Sequence, residues 1–524
     1  MAWQKFRDYF MKHTIDESHF VLGLDLGSAM SSLAYFDTLR QCPEIVDMSG
    51  GYGKPSTPTV LQYAPDTKEW VFGEYAVLNR GFGREQTYTS LVERLGRNEY
   101  IEVDGKPMTI AYALGLYCKE LVATCKSLNP KAEIVGIVMA VPSYINEETR
   151  AEYMAAFRAA GLERDAIALV PDRECVFRHY IGGLESAKAE RLLLLDFGSR
   201  ALRGGIYDVQ PTAGGASFDS ISSLFDESLG TQQINDAVAA WFTDFYCTQT
   251  KTEKTALTKQ TLEQLSIFTY QHKDLLFQKE IGARPIKLYY NFAYPPMQQT
   301  VSADAANALL QPFMQKTEVF LREVFTKTQN TNVPAAQVTV DTVLCTGGGF
   351  EMLWVRRMVQ SAFPNSRVVF YKNAKGIMAE GASIMAADAL GIIKPRRIAV
   401  IDKHMLASDI GVKTRQGKQE RFVPIIERNS FWWQAHKPMY FLLNEPTGAQ
   451  DVTIELFTRD GAGEVRPLGA AVLAGLPERP SGTTKLKLSL QCSAYNALTA
   501  IVTDAGFGEL FPASDFEKTY AFAL

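Results

Sequence analysis

The stretch 192-LLLLDFGSRALRGGIYDV-209 decides how this chain is read. Four leucines, Leu192 to Leu195, run into Asp196-Phe197-Gly198. A short polar loop follows, and a second extended run leaves through Ile206-Tyr207-Asp208-Val209. That is a strand, a tight turn and a strand, with a carboxylate at the mouth of the turn. Glycine in such a turn lets backbone N–H groups converge on phosphate oxygens, and an Asp at the strand end can hold Mg²⁺ through water. The letters Asp-Phe-Gly also occur in protein kinases, but no His-Arg-Asp loop precedes them here and no Val-Ala-Ile-Lys strand exists. A Walker loop or a dinucleotide fingerprint runs from strand into helix, not into a second strand.

The pattern occurs twice. Gly23-Leu24-Asp25-Leu26-Gly27 and Leu194-Leu195-Asp196-Phe197-Gly198 are two copies of strand-Asp-apolar-Gly, 171 positions apart. A lone Asp-x-Gly is more often a plain hairpin turn. Two copies at domain-scale spacing, followed by the strand 340-VDTVLCT-346, Gly347-Gly348-Gly349 and a helix from about Met352 to Phe363, point to a duplicated core.

At 524 residues the chain is too long for one core, and roughly two to four domains are expected. Net charge is −4 with no strongly basic segment, which argues against a nucleic-acid surface. No apolar run is long enough for a membrane span, and the first residues lack the apolar core of a signal peptide. Seven scattered cysteines form no Cys-x-x-Cys pair, against a disulfide scaffold or a zinc site. A cytoplasmic setting is the default expectation. Trp3, Phe6 and Phe10 fall on one helical face, suited to packing on the body or a neighbour. The segment 147-EETRAEYMAAFRAAGL-162 reads as a helix closed by Gly161. Past Pro395 the segments 451-DVTIELFTRD-460 and 484-TKLKLSLQCSAY-495 alternate apolar and polar residues at period two, predicting an all-β sandwich. The joint 394-KPRRIAVIDKH-404 suits a linker that docks in one state.

From about Phe20 to about Glu509 the chain resembles the heat shock protein 70 family, an actin-like ATPase domain joined to a peptide-binding β-sandwich. The resemblance is carried by 21-VLGLDLGSAMSSLAYFD-37, 54-KPSTPTVLQY-63, 71-VFGEYA-76, 91-LVERLGR-97, 139-MAVPSYINEETR-150, 160-AGLERDAIALVPDRECVFRHYIGGL-184, 343-VLCTGGGFEML-353 and 377-IMAEGASIMAA-387. In the C-terminal part, 409-DIGVKT-414, 423-VPIIERN-429 and 468-LGAAVLAGLPERPSG-482 continue it. It implies an N-terminal extension at 1–19, a two-lobed α/β nucleotide-binding domain at 20–394, a linker at 395–404 and a substrate-binding-like β-sandwich at 405–524. It also implies ATP/ADP and Mg²⁺ as ligands. Asp25, Asp172 and Asp196 would organise the metal (Asp25 and Asp196) and the attacking water. Gly27, Ser28, Gly198, Ser199, Gly230 and Gly347 to Gly349 would hold the nucleotide.

The departures from the family pattern bear on turnover. Ala29 and Met30 do not match; Ser199 and Arg200 stand where glycines follow, and Ala201 replaces a hydroxyl residue. Arg203 replaces a second carboxylate near the metal. Val92 or Glu93, depending on one gap, takes the place of a lysine that would stabilise the transferring phosphoryl group. Asp172 replaces a glutamate. Lys273 or His272 would serve in part for the adenine clamp in 264-QLSIFTYQHKDLLF-277, and Lys375 replaces an acidic residue. Arg200 and Arg203 could act as phosphate counter-charges; in the opposing reading Arg203 pairs with Asp196 and shuts the metal site. Pro142, Arg150 and Asp402 match the family's relay to the linker, although Pro142 can simply end a strand and Arg150 open a helix. The chain stops about fifteen residues past Glu509, so no helical lid is expected and peptide would be held by β-augmentation and side-chain pockets. Two partner classes follow: extended polypeptide, for a chaperone of weak or lost hydrolysis, or one dedicated protein, for a non-hydrolysing scaffold. Trp432 and Trp433 would form the dedicated contact or close the sandwich end. A sugar kinase or a filament former on the same fold is disfavoured by the C-terminal sandwich.

Overall fold

The computed structural model describes residues 6, 19–49, 53–79, 86–128, 130–131, 133–143, 145, 147–161, 166–277, 285–326, 339–401, 406, 408–416, 419–428, 430, 432, 435–448, 450–460, 463–494 and 497–524. The chain divides into two compact units, one formed by Ala2–Pro142 with Glu147–Ile401, the other containing Asp402–Leu524.

Two six-stranded sheets organise the larger unit, and they repeat one connectivity. In the first, His19–Leu26 pairs antiparallel with Met30–Asp37, which pairs antiparallel with Cys42–Ile45; on its other side His19–Leu26 runs parallel to Glu133–Val141, and that strand parallel to Ile167–Pro171. In the second, Glu190–Phe197 pairs antiparallel with Leu202–Thr212, and that with Gly215–Asp226; on its other side it runs parallel to Thr342–Thr346, next to Arg367–Phe370. The four-leucine run makes sense in this frame. A central strand buried on both faces needs apolar side chains at every position, not every second one. Leu192 and Leu194 pack with Phe177, Tyr180 and Phe218, whereas Leu193, Leu195 and Phe197 join Val238, Phe242 and Phe320 on the opposite face.

The helix Ile377–Ala389 lies against the first sheet so closely that a Cβ on Gly23 would stand 2.1 Å from the Ala379 carbonyl oxygen. Small residues on that helix (Ala379, Ala382, Ser383 and Ala386 are all buried) permit the approach. Its neighbour Asp172–Gly182 is held to it by Arg178, whose Nη2 and Nε donate to the two Asp388 carboxylate oxygens at 2.7 and 2.5 Å. Phe6 is fully buried against Val138, Ala140, Ala168 and Ala382, so the N-terminal aromatic does pack on the body; Trp3 and Phe10 lie outside the described residues. The expected helix at 147–162 is Glu147–Ala159, with Gly161 beyond it in the left-handed region at φ +89°. The expected helix from about Met352 to Phe363 is Leu353–Ala362, preceded by a 3₁₀ turn, Gly348–Glu351. In the joint, Arg397–Ile401 is a strand added parallel to Gly215–Asp226 at the edge of the second sheet. Asp402 lies outside the described residues.

The smaller unit contains two four-stranded antiparallel sheets, Gln419–Ile426, Asp409–Gln416, Val452–Arg459, Val465–Leu473 and His436–Leu443, Thr484–Ala494, Ala497–Asp504, Glu517–Ala523. The period-two pattern places Leu486, Leu488 and Leu490 inside, opposite Leu456 and Leu473. Trp432 packs on this core; Trp433 is outside the described residues. Arg479 and Asp504 form a buried bidentate pair at 3.0 and 2.7 Å. Burial alone would raise the Asp504 carboxyl, but donors on Gly506, Ser514 and Arg479 hold it below the usual carboxylate range. No described helix is long and apolar enough to cross a membrane.

Candidate functional site

Both hairpin tips are fastened by their carbonyl groups. In the first, the Gly27 carbonyl accepts from Thr59 Oγ1 at 2.7 Å and the Ala29 carbonyl from the Thr59 N–H at 2.9 Å. In the second, the Gly198 and Ser199 carbonyls accept from the Thr231 and Gln232 N–H groups at 3.0 and 2.8 Å, in the first turn of the helix Thr231–Thr250. A trans peptide points each C=O and the following N–H in opposite directions. The fastened carbonyls therefore turn the N–H groups of Ser28 and Met30, and of Ser199 and Arg200, to the other side. Gly230 is needed for this contact, since a Cβ there would lie 2.2 Å from the Ser199 oxygen.

Three carboxylates gather at the strand ends behind the tips. Asp25 and Asp196 each stand next to the end of their strands, His19–Leu26 and Glu190–Phe197, and Asp172 follows Ile167–Pro171 at the start of its helix. Burial pushes the Asp25 carboxyl up to about 8, with Asp196 and Asp172 adding and Arg203 opposing. Burial likewise pushes Asp196 up to about 6, with Asp172 adding; Arg203 and a hydrogen bond from Thr346 oppose. Arg203 is the cross-strand partner of Asp196, and its Nη1 lies 3.4 Å from Asp172 Oδ2. Arg203 thus faces Asp196 across the hairpin and is ion-paired with Asp172.

A cleft of about 1020 Å³ opens at the tips, with Ser28, Ala29, Met30 and Ser199 among the residues that line it. Glu93 also lines it, so of the two residues that could replace the family's lysine the cleft-facing one is Glu93. Arg200 Nε lies 3.6 Å from Glu93 Oε1, and Arg200 Nη2 lies 3.9 Å from Glu227. Tyr270, Lys273, Phe277, Gly348 and Lys375 line it as well. Tyr270 also packs on Val60, Ala76 and Val77, and Lys273 Nζ sits 5.9 Å from the Tyr270 ring centroid. Burial lowers the Lys273 ammonium, Lys375 adds to this, and Asp274 and Glu351 oppose it. His272 points elsewhere: its Nδ1 bonds the Phe268 carbonyl and its ring stacks on Phe268 at 4.2 Å.

The glycine triplet divides by role. A Cβ on Gly347, at φ +88°, would lie 2.5 Å from the Phe197 carbonyl oxygen, and one on Gly349 would lie 2.3 Å from the Phe197 ring. Those two glycines are required by packing of the second hairpin. Gly348 lines the cleft, under the aliphatic chain of Lys375, whose Nζ pairs with Glu351 at 2.7 Å. Pro142 directly follows Glu133–Val141 and Arg150 lies in the first turn of Glu147–Ala159. Thr59, Tyr270 and Glu351 were missed as site residues. The only signal for Thr59 was the run 54-KPSTPTVLQY-63, and no local pattern marks a residue whose role is to fasten a distant turn.

Residues 405–524 match a family model described as a domain of unknown function (DUF8552). Residues 42–204 match the C-terminal model of a family of unknown function (DUF5716). Chaperone protein DnaK of Mycoplasmoides gallisepticum is 23% identical over 516 residues, covering 93% of this chain and 79% of that protein. Chaperone proteins DnaK of Thermotoga petrophila and Thermotoga maritima are each 22% identical over 504 residues, covering 94% of this chain and 80% of theirs. Across nearly its whole length, through both compact units, the chain is thus distantly similar to DnaK chaperones.

Proposed function

We propose that this protein is a divergent chaperone of the heat shock protein 70 type that holds ATP in the cleft between its two hairpins and hydrolyses it weakly or not at all. The repeated sheets are then the two lobes of an actin-like ATPase domain, and the sandwich takes extended polypeptide segments. The observation that carries the reading is the pair of hairpin tips, each fastened by its carbonyls so that its N–H groups are turned away from the anchor, as an anion site requires. Impaired turnover follows from Glu93. A carboxylate facing the cleft repels developing phosphoryl charge where a cation would stabilise it. The seven free cysteines accord with a reducing compartment such as the cytoplasm.

The test is single-turnover ATP hydrolysis by the purified chain and by Glu93→Lys, beside a DnaK control, with ATP binding followed by calorimetry. Binding without appreciable turnover is expected in the wild type, with a gain of roughly ten- to a hundredfold in rate on introducing the lysine. A wild-type rate equal to that of the control would sink the claim of impaired hydrolysis.

One observation favours the non-hydrolysing scaffold instead, namely the Glu93–Arg200 ion pair, in which each side chain already faces an opposite charge. If ATP does not bind, and an array of extended apolar peptides stays silent, that reading replaces the first.

A further inference from the structure

Resting on the nucleotide reading above, we infer that Arg203 is a built-in counter-ion: its guanidinium takes the place of a divalent metal behind the phosphate hairpins, so that the cleft binds a nucleoside polyphosphate as the metal-free anion. The resemblance implies Mg²⁺, which demands near-ideal octahedral oxygen coordination. The residues present do not fit it. Mg²⁺ is usually held by one or two carboxylates with waters, and here the carboxylates that would hold it, Asp196 and Asp172, already face the fixed charge of Arg203.

The second hairpin supplies positive charge from its own chain. Asp196 and Arg203 are directly paired across it, and such partners project from the same face of the sheet. The guanidinium thus lies beside the carboxylate that a metal would need, and its Nη1 is 3.4 Å from Asp172 as well. A guanidinium cannot lose its charge to make room for a cation. The planar fork of a guanidinium suits phosphate geometry. Arg200, at the tip of the same hairpin, is also matched to a carboxylate from a distant segment, Glu93. Asp172 and Glu93 each have an arginine partner on this one hairpin.

Two measurements on the full chain test this. The first uses Mn²⁺ alone, followed by electron paramagnetic resonance, and needs no nucleotide. The wild type is expected to show no Mn²⁺ site sensitive to Asp196→Asn, whereas Arg203→Asp gains one. A wild-type site abolished by Asp196→Asn overturns the inference whatever the nucleotide does. The second is calorimetry with ATP in EDTA and in Mg²⁺. Wild-type affinity is expected to agree within about threefold between the two, while Arg203→Asp loses about tenfold or more in EDTA and recovers it with Mg²⁺. Wild-type binding that is tighter by about tenfold or more in Mg²⁺ overturns the inference and leaves the nucleotide reading standing. No binding in either buffer overturns the nucleotide reading and the inference with it. Should Arg203→Asp fail to fold, as judged by circular dichroism, Arg203→Gln serves. It removes the charge, and must weaken ATP binding in EDTA for the inference to survive.

Discussion

Replacing Asp25 by asparagine should stabilise the larger unit, and more so as pH rises. In the folded chain burial, helped by Asp196 and Asp172, raises the Asp25 carboxyl from 3.8 to about 8 against the pull of Arg203. A carboxyl raised in this way holds its proton more tightly folded than unfolded, so folding takes up a proton between those two values. Below the lower value both states are protonated and the group costs nothing. As pH rises through the window the unfolded chain has released its proton and the folded chain has not. Stability then falls by about 1.4 kcal/mol per pH unit, and the loss levels off once the folded carboxyl also ionises. The whole window is worth on the order of 5 kcal/mol. Asparagine keeps the shape and cannot ionise. The advantage of Asp25→Asn over wild type should therefore grow by about 4 kcal/mol between pH 5 and pH 8. Urea unfolding of both proteins, in EDTA and without nucleotide, measures it. An advantage that is the same at both pH values, or a variant less stable at pH 8, refutes the reasoning.

Two further outcomes follow from close packing and from buried charge. Gly23→Ala would drive a Cβ to 2.1 Å from the Ala379 oxygen and 2.4 Å from the Ser383 nitrogen, both backbone atoms of a helix that cannot yield locally. A loss of about 3 kcal/mol or more is expected by thermal melting, and a variant as stable as wild type would show that the helix is free to move. Arg479→Met strands the Asp504 carboxylate inside the sandwich and should cost about 3–5 kcal/mol in the unfolding of that unit. Limited proteolysis or a resolved melting transition reports it, and Arg479→Met combined with Asp504→Leu should recover part of the loss.

Much of the backbone course could be read from local pattern. The runs around Asp25 and Asp196 read as strands because short apolar runs, Phe20 to Leu22 and Leu192 to Leu195, lead into an Asp-x-Gly turn signal, and the sandwich strands follow from strict alternation. The edges of elements were less legible. Arg397–Ile401 looks like a linker because it is short and flanked by basic residues; it is a strand only because Gly215–Asp226 offers an open edge. Within the site, Gly347 and Gly349 could be read as ligand-facing glycines, yet each is required by Phe197, a residue some 150 positions away. Whether Val92 or Glu93 faces the cleft depended on one gap. The 3₁₀ turn Val92–Arg94 decides it, placing Glu93 near Arg200.

Residue order along the chain dictates the elements here: two Asp-x-Gly hairpins, a glycine triplet, and a C-terminal run of alternating strands. Hydrophobic periodicity and turn chemistry act over a few residues and are written locally. Which charge meets which is another matter. Arg203 with Asp172, Arg200 with Glu93 and Lys375 with Glu351 join positions 31, 107 and 24 apart, and in each case the partner is fixed by how strands and helices come together. Coulomb energy depends on distance and burial, neither of which a residue's neighbours in sequence control. The same holds for Asp25, whose carboxyl is raised first by burial and then by Asp196 and Asp172, all three supplied by the fold.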